Sequence, residues 1–249
     1  METLRLSKEA VFLSLSGEHG LFKQGEPCIF VRLSGCNLTC HYCDADHSYN
    51  STKTIEEIVK EIRTYQCKNV LITGGEPLLQ EKGLSVLVNE LRKLSCKIQI
   101  ETNGTLVPTK NLFTDADMWV VDIKSKSQIE RIFSDWTAFS VNTLITRNIL
   151  FKAVLRPGDI FEFLMECQKH FTPLFKKAPG LENRIKLSIS PIMPSGSEMQ
   201  DEQVHEILFD VLELFSTTLL DLLHKGALDC ELARNISMNM QLHKFIGCA

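Results

Sequence analysis

Short apolar runs recur along the chain and alternate with segments of helical periodicity. The runs are rich in β-branched and aromatic residues, which favour strands, and they cover residues 28–34, 69–73, 97–101, 118–124, 149–155, 184–190 and 236–240. Strands that alternate with helices form a parallel sheet through right-handed crossovers. The order therefore predicts an α/β protein with a partial (β/α)6-type barrel, and residues 10–16 are predicted to add a short N-terminal extension strand.

The length of 249 residues suits one domain of this kind. An α/β barrel can reach about 250 residues without dividing. No repeat, low-complexity tract or linker interrupts the sequence. We therefore predict a single domain over residues 1–249.

Helical signals separate the strands. Thr54 and Glu57 have the spacing of a capping box, which opens a helix whose apolar residues share one face. Further helical patterns cover residues 84–94, 159–170 and 199–224, and Gly226 is suited to end the last of them. The apolar stripe from Val204 to Phe215 is predicted to belong to the core.

Charge and cysteine usage exclude several classes of protein. The net charge is −4 and no basic run is long enough to bind a polynucleotide, so we predict no nucleic-acid partner. No stretch approaches about 18 apolar residues, so we predict no membrane span. An odd number of cysteines, nine, and a start without an apolar signal segment predict a reducing, cytoplasmic location.

Three of the cysteines, Cys36, Cys40 and Cys43, form a Cys-x3-Cys-x2-Cys triplet. Structural zinc usually has four Cys or His ligands, whereas a 4Fe-4S cluster held by three thiolates leaves one iron open. His41 or His47 could complete a zinc site instead, and Cys36 could be an ordinary buried thiol. The remaining six are predicted to be small buried hydrophobes: Cys28, Cys67, Cys96, Cys167, Cys230 and Cys248.

Polar residues follow four of the predicted strands, at residues 74–77, 102–105, 122–124 and 190–193. Taken singly, these segments could be a turn before a helix, an Asn-Gly turn, a solvated charged pair and a loop. The carboxyl ends of parallel strands meet at one edge of a barrel, where catalytic groups gather. Together the segments predict a site at that edge, beside the cysteine triplet.

The triplet, with the aromatic Tyr42 before its third cysteine, resembles the signature of radical S-adenosylmethionine (SAM) enzymes. The resemblance implies a 4Fe-4S cluster whose open iron is chelated by SAM. In that superfamily an electron from the cluster cleaves SAM, and the resulting 5'-deoxyadenosyl radical abstracts a hydrogen from the substrate. Residues 73–77 resemble the glycine-rich motif that binds the methionyl amine.

A closer resemblance extends over nearly the whole chain. Residues 14–20, 25–27, 30–36, 101–105 and 240–244 resemble the 7-carboxy-7-deazaguanine synthase family of the queuosine and deazapurine pathway. The implied reaction converts 6-carboxy-5,6,7,8-tetrahydropterin by hydrogen abstraction at C6, ring contraction and loss of nitrogen. The implied partners are this small-molecule pterin, an electron donor such as flavodoxin or ferredoxin, and a second copy of the chain in a homodimer.

The resemblance also implies roles for individual residues. The cluster ligands are Cys36, Cys40 and Cys43. The residues implied to contact SAM are Tyr42, Asp44, Gly75, Glu76, Gly104, Lys124 and Ser190. Those implied to hold the substrate are Gly17, Glu18, Arg32, Thr102 and His243. Catalytic help with the proton and nitrogen steps is predicted from Asp122, Glu18 or His243, without a choice among them.

Three features depart from the family pattern. The loop that leads to Gly25 is longer than in the family. Ser16 stands where the family usually has Gln, and it offers no amide for the substrate contact implied there. Ala45 stands where the family usually has a Thr whose hydroxyl helps to bind Mg2+, and alanine offers no ligand atom. Because Mg2+ requires a near-octahedral oxygen shell, we predict weak or absent dependence on this ion.

Two alternative functions remain open from the sequence. One is another small radical SAM enzyme, such as a glycyl-radical activase or a peptide-modifying enzyme, which would not need the segment around Glu18. The other is a metal-stabilised binding module without catalysis. Arg32 could likewise be part of an interior salt bridge, and His243 could be structural.

Overall fold

The computed structural model of the protein describes residues 2–17, 20–40, 43, 45–191 and 201–238. Its strands form a single sheet. They are β1 (Thr3–Leu15), β2 (Pro27–Leu33), β3 (Ser51–Thr54), β4 (Asn69–Gly74), β5 (Lys97–Thr102), β6 (Met118–Ile123), β7 (Asn148–Leu155), β8 (Ile185–Pro191) and β9 (Ile236–Met238). The helices are α1 (Ile55–Ile62), α2 (Glu81–Lys93), α3 (Lys110–Asp115), α4 (Ile129–Thr137), α5 (Val141–Leu144), α6 (Ile160–Lys177), α7 (Asp201–His224) and α8 (Cys230–Ala233).

The sheet order is β3-β1-β2-β4-β5-β6-β7-β8-β9. Strands β2 and β4 to β9 run parallel, whereas β1 is antiparallel to both of its neighbours. In the described residues β3 and β9 lie at opposite edges without pairing, so the sheet is open and not a closed barrel. The predicted partial α/β barrel is confirmed.

The predicted elements are mostly present, with shifted limits. The N-terminal strand begins at Thr3 and not at residue 10, because its first half pairs with β3, a short polar strand that the sequence did not predict. The capping box at Thr54 is formed in both directions. Helix α6 extends the predicted 159–170 pattern to Lys177, and α4 was not predicted.

Helices pack on the outer face of the sheet and form one large core with it. Alternate residues of β6 show the two faces: Trp119 and Val121 belong to this core, whereas Met118 and Val120 form a separate inner cluster. On α7 the predicted stripe is only partly buried: Val211 is buried, whereas the neighbouring Leu212 is exposed, because only one side of the helix packs on the protein. The side chains of residues 204–208 of that stripe lie outside the described part.

The cysteines outside the triplet are not all buried. Cys28, Cys96 and Cys167 are buried and Cys67 is partly buried. Cys230 is exposed, contrary to the prediction, because it lies in the first turn of the short surface helix α8. Cys248 lies outside the described residues. Among the helices described, none is long and apolar enough to cross a membrane.

Candidate active site

The carboxyl ends of the parallel strands bring the predicted segments to one edge of the sheet. The cysteine loop follows β2, the Gly74–Glu76 segment follows β4, and Asn103 and Gly104 follow β5. Hydrogen bonds link these segments directly, since Glu76 N donates to Gly35 O over 2.8 Å and Asn103 Nδ2 lies 3.7 Å from Cys36 Sγ. The cysteine loop and the segments after β4 and β5 therefore meet at this edge of the sheet, which we call the rim.

The three triplet thiols are accessible and none is in a disulfide. Cys36 and Cys40 are partly buried and Cys43 is exposed. Amide donors surround Cys36 Sγ: Leu38 N lies 3.4 Å away, in addition to Asn103. Such donors stabilise a cluster thiolate and tune its potential. Burial raises the pKa of the Cys40 thiol, while the nearby Lys124 ammonium lowers it, so the triplet also borders the end of β6.

The triplet is not drawn together into a finished site. Within the described residues no three His, Cys, Asp or Glu side chains lie close enough to hold a metal ion. Cys43 Sγ instead donates to the carbonyl of Ala45 over 3.6 Å. Three free thiols with amide donors are a donor set that fits an iron-sulfur cluster, and metal binding commonly completes the folding of such loops. His47 does not join the cysteines, and His41 lies outside the described residues.

The two glycines of the β4 turn allow close contact between two backbones. Gly74 has a φ of +127°, and a Cβ there would collide with the carbonyl of Leu33. A Cβ at Gly75 would collide with the carbonyl of Gly35, which begins the cysteine loop. The turn is therefore packed directly against the base of the triplet, and a contact between Gly75 and SAM stays a prediction.

Glu76 connects the β4 and β5 ends from a fully buried position. Its carboxylate accepts hydrogen bonds from Leu78 N at 2.9 Å, Asn103 N at 2.8 Å and Thr102 Oγ1 at 2.9 Å. Burial raises its pKa, although these donors oppose the shift. The Thr102 hydroxyl also accepts from Gly104 N. Both side chains, predicted to contact ligands, are thus engaged in holding the rim together.

Asp122 and Lys124, at the end of β6, are joined by a lysine that the sequence analysis did not select. Lys152 on β7 pairs in register with Asp122, and its Nζ lies 2.9 Å from Asp122 Oδ1. Lys124 Nζ lies 2.5 Å from Oδ2. Burial raises the pKa of Asp122, but the two ammonium groups outweigh it and hold that pKa below its usual range. A single lysine within an otherwise apolar strand was the available signal for Lys152.

Two buried serines of β8 lie next to the Asp122 and Lys152 pair. Ser188 pairs in register with Lys152, and Ser190 lies two residues further along the same face. Neither Oγ has a hydrogen-bond partner among the described residues, although both serines are at most 1% exposed. Buried hydroxyls without partners usually await a ligand or water. Ser190 was predicted to contact SAM, whereas Ser188 was not selected.

The loop between β1 and β2 covers the inner face. Phe22 forms a small cluster with Cys28 and Leu71, and Leu21 packs against the inner cluster of Met118, Val120 and Leu150. Gln24 Nε2 donates to the carbonyl of Gly17, the predicted substrate residue at the start of the loop. Arg32, half-buried on β2, stacks its guanidinium 5.1 Å from the centre of the Phe12 ring, and no salt bridge to Arg32 is present among described residues.

Four predicted site residues lie outside the described residues: Glu18, Tyr42, Asp44 and His243. Gly104, which was predicted to contact SAM, has a φ of +75°, and its carbonyl accepts from Trp136 Nε1 at 3.0 Å. Its contact with SAM stays a prediction.

The chain is similar to several known proteins. The model of the radical SAM superfamily matches residues 30–118. A 7-carboxy-7-deazaguanine synthase of Hyperthermus butylicus is 43% identical over 204 residues, covering 77% of this chain and 79% of that protein. Another, of Koribacter versatilis, is 30% identical over 242 residues, covering 95% and 94%. The crystal structure of QueE from Escherichia coli shares the fold, with a TM-score of 0.54 at 21% identity, covering 96% of this chain and 93% of that one.

The open α/β sheet, the cysteine triplet and the family match define a radical SAM enzyme, a class that uses a 4Fe-4S cluster and SAM. Within that class, the extent and identity of the matches are decisive. The chain belongs to the 7-carboxy-7-deazaguanine synthase family.

Proposed function

We propose that the protein converts 6-carboxy-5,6,7,8-tetrahydropterin to 7-carboxy-7-deazaguanine, a step of queuosine and deazapurine biosynthesis. One observation carries the proposal beyond family membership. Cys36, which lies against Asn103, follows the end of β2. Arg32 lies near the same end of β2 and is on the inner face of the sheet. A cofactor bound at the triplet therefore lies beside a cationic fork suited to a substrate carboxylate.

Cys36, Cys40 and Cys43 hold the cluster in this proposal. When bound, the cluster and SAM supply an electron and a carbon radical that removes hydrogen from the substrate. Gly75, Gly104, Lys124 and Ser190 face SAM from the strand ends, with Tyr42 and Asp44 completing the set. The unpartnered Ser190 hydroxyl and the Lys124 ammonium supply one hydrogen bond and one positive charge to that ligand.

The charge of Asp122 limits its chemical role. Because its pKa is lowered by Lys124 and Lys152, it is ionised near neutral pH and cannot serve as a general acid. It can accept a proton or hold Lys124 in place. Proton donation in the nitrogen-loss step is therefore assigned to Glu18 or His243.

The Mg2+ dependence is proposed to be weak or absent. Ala45 has no side-chain oxygen to offer this ion. The neighbouring Asp46 carboxylate accepts from Ser48 N at 3.0 Å. Turnover of cluster-loaded enzyme should therefore survive a chelator. Activity that collapses with the chelator and returns only with Mg2+ contradicts this.

The decisive experiment is an anaerobic assay with SAM, dithionite and carboxytetrahydropterin, with the product identified by mass. We expect deazaguanine carboxylate together with 5'-deoxyadenosine. Deoxyadenosine without the deazaguanine product would retain radical chemistry and reject the substrate. One zinc per chain, with no absorbance near about 400 nm and no SAM cleavage, would reject the cluster itself.

Cysteine variants test the ligand assignment in the same preparation. Cys40→Ala should lower the iron content from about four atoms per chain to near none. Cys230→Ser, an exposed thiol away from the rim, is the matched control and should keep full iron content. Equal iron in both variants contradicts the assignment.

A homodimer and a flavodoxin or ferredoxin donor are further parts of the proposal. Helix α7 supports the dimer, because it exposes a set of large apolar side chains: Phe209, Leu212, Leu214 and Leu220. Light scattering should give twice the chain mass, and Phe209→Glu should reduce it to a monomer. A wild-type monomer at micromolar concentration contradicts the dimer.

A further inference from the structure

One inner-face carboxylate, Glu101 on β5, has no part in the chemistry described so far. Arg32 on β2 pairs in register with Thr73 on β4, and Thr73 Oγ1 donates to Glu101 Oε2 over 3.1 Å. The three side chains therefore form one row across the inner face. Because neighbouring strands lie about 4.8 Å apart, the backbones of Arg32 and Glu101 are separated by roughly 10 Å.

Gln99 fixes the other oxygen of this carboxylate. Its Nε2 donates to Glu101 Oε1 over 3.1 Å, and its Oε1 accepts from Leu21 N over 2.7 Å. Gln99 is only 1% exposed, and a Cβ at Gly20 would collide with its amide. The β1–β2 loop is therefore seated on Gln99, which aligns Glu101 beside the loop that begins at Gly17.

The neighbouring Thr102 presents its side chain to the opposite face. It continues the outer positions Ile98 and Ile100, and its hydroxyl is bonded to Glu76. Glu101, and not Thr102, therefore has its side chain on the inner face, where Arg32 also lies.

We propose that Glu101 is a substrate-recognition residue that accepts hydrogen bonds from the donor edge of the pterin, an inference that rests on the proposed function. The 2-amino group and the adjacent ring N–H of a pterin are two parallel donors, and an ionised carboxylate offers two acceptor oxygens. The substrate carboxylate lies at the other end of the bicyclic ring. The backbones of Arg32 and Glu101 are roughly 10 Å apart and both side chains leave on the inner face, so a single ligand bound there can contact a cation and a carboxylate.

The first test compares Glu101→Gln with Glu56→Gln, an exposed position on α1, in cluster-loaded enzyme. Glu101→Gln should raise the KM for carboxytetrahydropterin about 10- to 100-fold, because an acceptor for a charged hydrogen bond is replaced by an amide. SAM cleavage without pterin should be unchanged, since the proposed ligand of Glu101 is the pterin. An unchanged KM for the pterin overturns the proposal.

A second test uses the specificity that this recognition creates. A 2-oxo analogue of the substrate lacks the amino donor, so wild type should discriminate against it. Glu101→Gln should reduce that discrimination at least about tenfold, because sites built for a hydrogen bond reject analogues that lack it. Equal discrimination in the two proteins overturns the proposal.

If Glu101→Gln does not fold, Thr73→Val takes its place in both assays. This variant keeps the carboxylate and removes the hydrogen bond from Thr73 that helps to align it. A several-fold rise in the KM for the pterin that exceeds any change in the KM for SAM supports recognition by Glu101, and an unchanged KM for the pterin overturns it. If the wild-type enzyme does not turn over the pterin, the proposed function is rejected. If the wild-type enzyme turns over the pterin and the variant has the same KM, only the role of Glu101 is rejected.

Discussion

Phe151 and Lys152 are neighbours on β7, yet they lie on opposite faces of the sheet. Both are almost fully buried, at 0% and 3% exposure, so the difference between them is one of polarity. Phe151 packs against the rings of Phe133 and Phe171 in the helical layer. Lys152 is ion-paired with Asp122 on the inner face.

The contrast extends over the whole sheet. Outer positions join one continuous apolar core, whereas inner positions carry charges and two serine hydroxyls without partners in the described structure. Buried polar groups lower stability unless a partner compensates them, and proteins tolerate them mainly at functional sites. The outer face therefore sets the stability of the fold, and the inner face sets its chemistry.

The largest effect is expected from Phe151→Ala on the outer face. The cavity left in the aromatic cluster should lower the free energy of unfolding by about 3–5 kcal/mol. Activity per folded molecule should change little, because the side chain does not reach the inner face. Denaturant unfolding gives the first quantity, and turnover at low temperature gives the second.

Phe161→Ala is the matched control for this variant, because Phe161 is 55% exposed on α6. It should cost less than about 1 kcal/mol. Similar losses in the two variants would show that the outer face is not the stabilising one.

Lys152→Met should have the opposite effect from Phe151→Ala, with a large loss of activity and a small loss of stability. Without this ammonium, the Lys124 charge is needed to balance Asp122 and less of it is available to SAM. SAM cleavage should fall about 100-fold, equivalent to about 3 kcal/mol in the barrier, with a smaller change in stability. Lys169→Met, at a surface ion pair, should leave cleavage unchanged. Normal cleavage by a folded Lys152→Met protein would separate Lys152 from the chemistry.

These two residues also show what the sequence could predict. The apolar run at 149–155 predicted β7 correctly, because β-branched and aromatic residues favour strands whichever face they occupy. A fully buried parallel strand lacks clear alternation, so its inner and outer residues cannot be separated without the register of its neighbours. Lys152 was missed for that reason. Strands β5 and β8 do alternate polar with apolar residues, but alternation alone does not show which of their polar residues, such as Glu101 and Ser188, lie beside the site.

The strand ends were easier to predict than the short elements. Glycine and polar residues after each strand marked the rim, and the capping box marked α1. Strand β3 was missed because its residues are polar and its pairing with β1 is a tertiary contact. The cysteines were identified by their spacing, which is a property of the sequence alone.

Glu76→Gln tests how far the stability of the rim depends on the carboxylate that connects the ends of β4 and β5. The amide would direct a donor towards Asn103 N or Leu78 N, in place of an acceptor. Stability should fall by about 2 kcal/mol, because one charge-assisted bond is lost. Calorimetry beside Glu90→Gln, a surface control, measures the loss. An unchanged melting temperature would mean that the rim does not depend on this carboxylate.

The smallest effect is expected from pH on the outer layer. His170 packs against Phe133 and Phe171, and burial lowers its pKa, with Lys169 acting in the same direction and Glu166 and Glu130 opposing it. A base with a lowered pKa contributes stability above its unfolded pKa of about 6.5, and that contribution is lost as the pH falls through the folded value. His170→Gln keeps a donor for Thr137 and should flatten the acid side of the stability curve by less than about 1 kcal/mol after solvent screening. His224→Gln, exposed at the end of α7, should keep the wild-type slope. If His170→Gln keeps that slope too, the acid sensitivity arises elsewhere, and the ion-paired Asp122 of the inner face is then the group to examine.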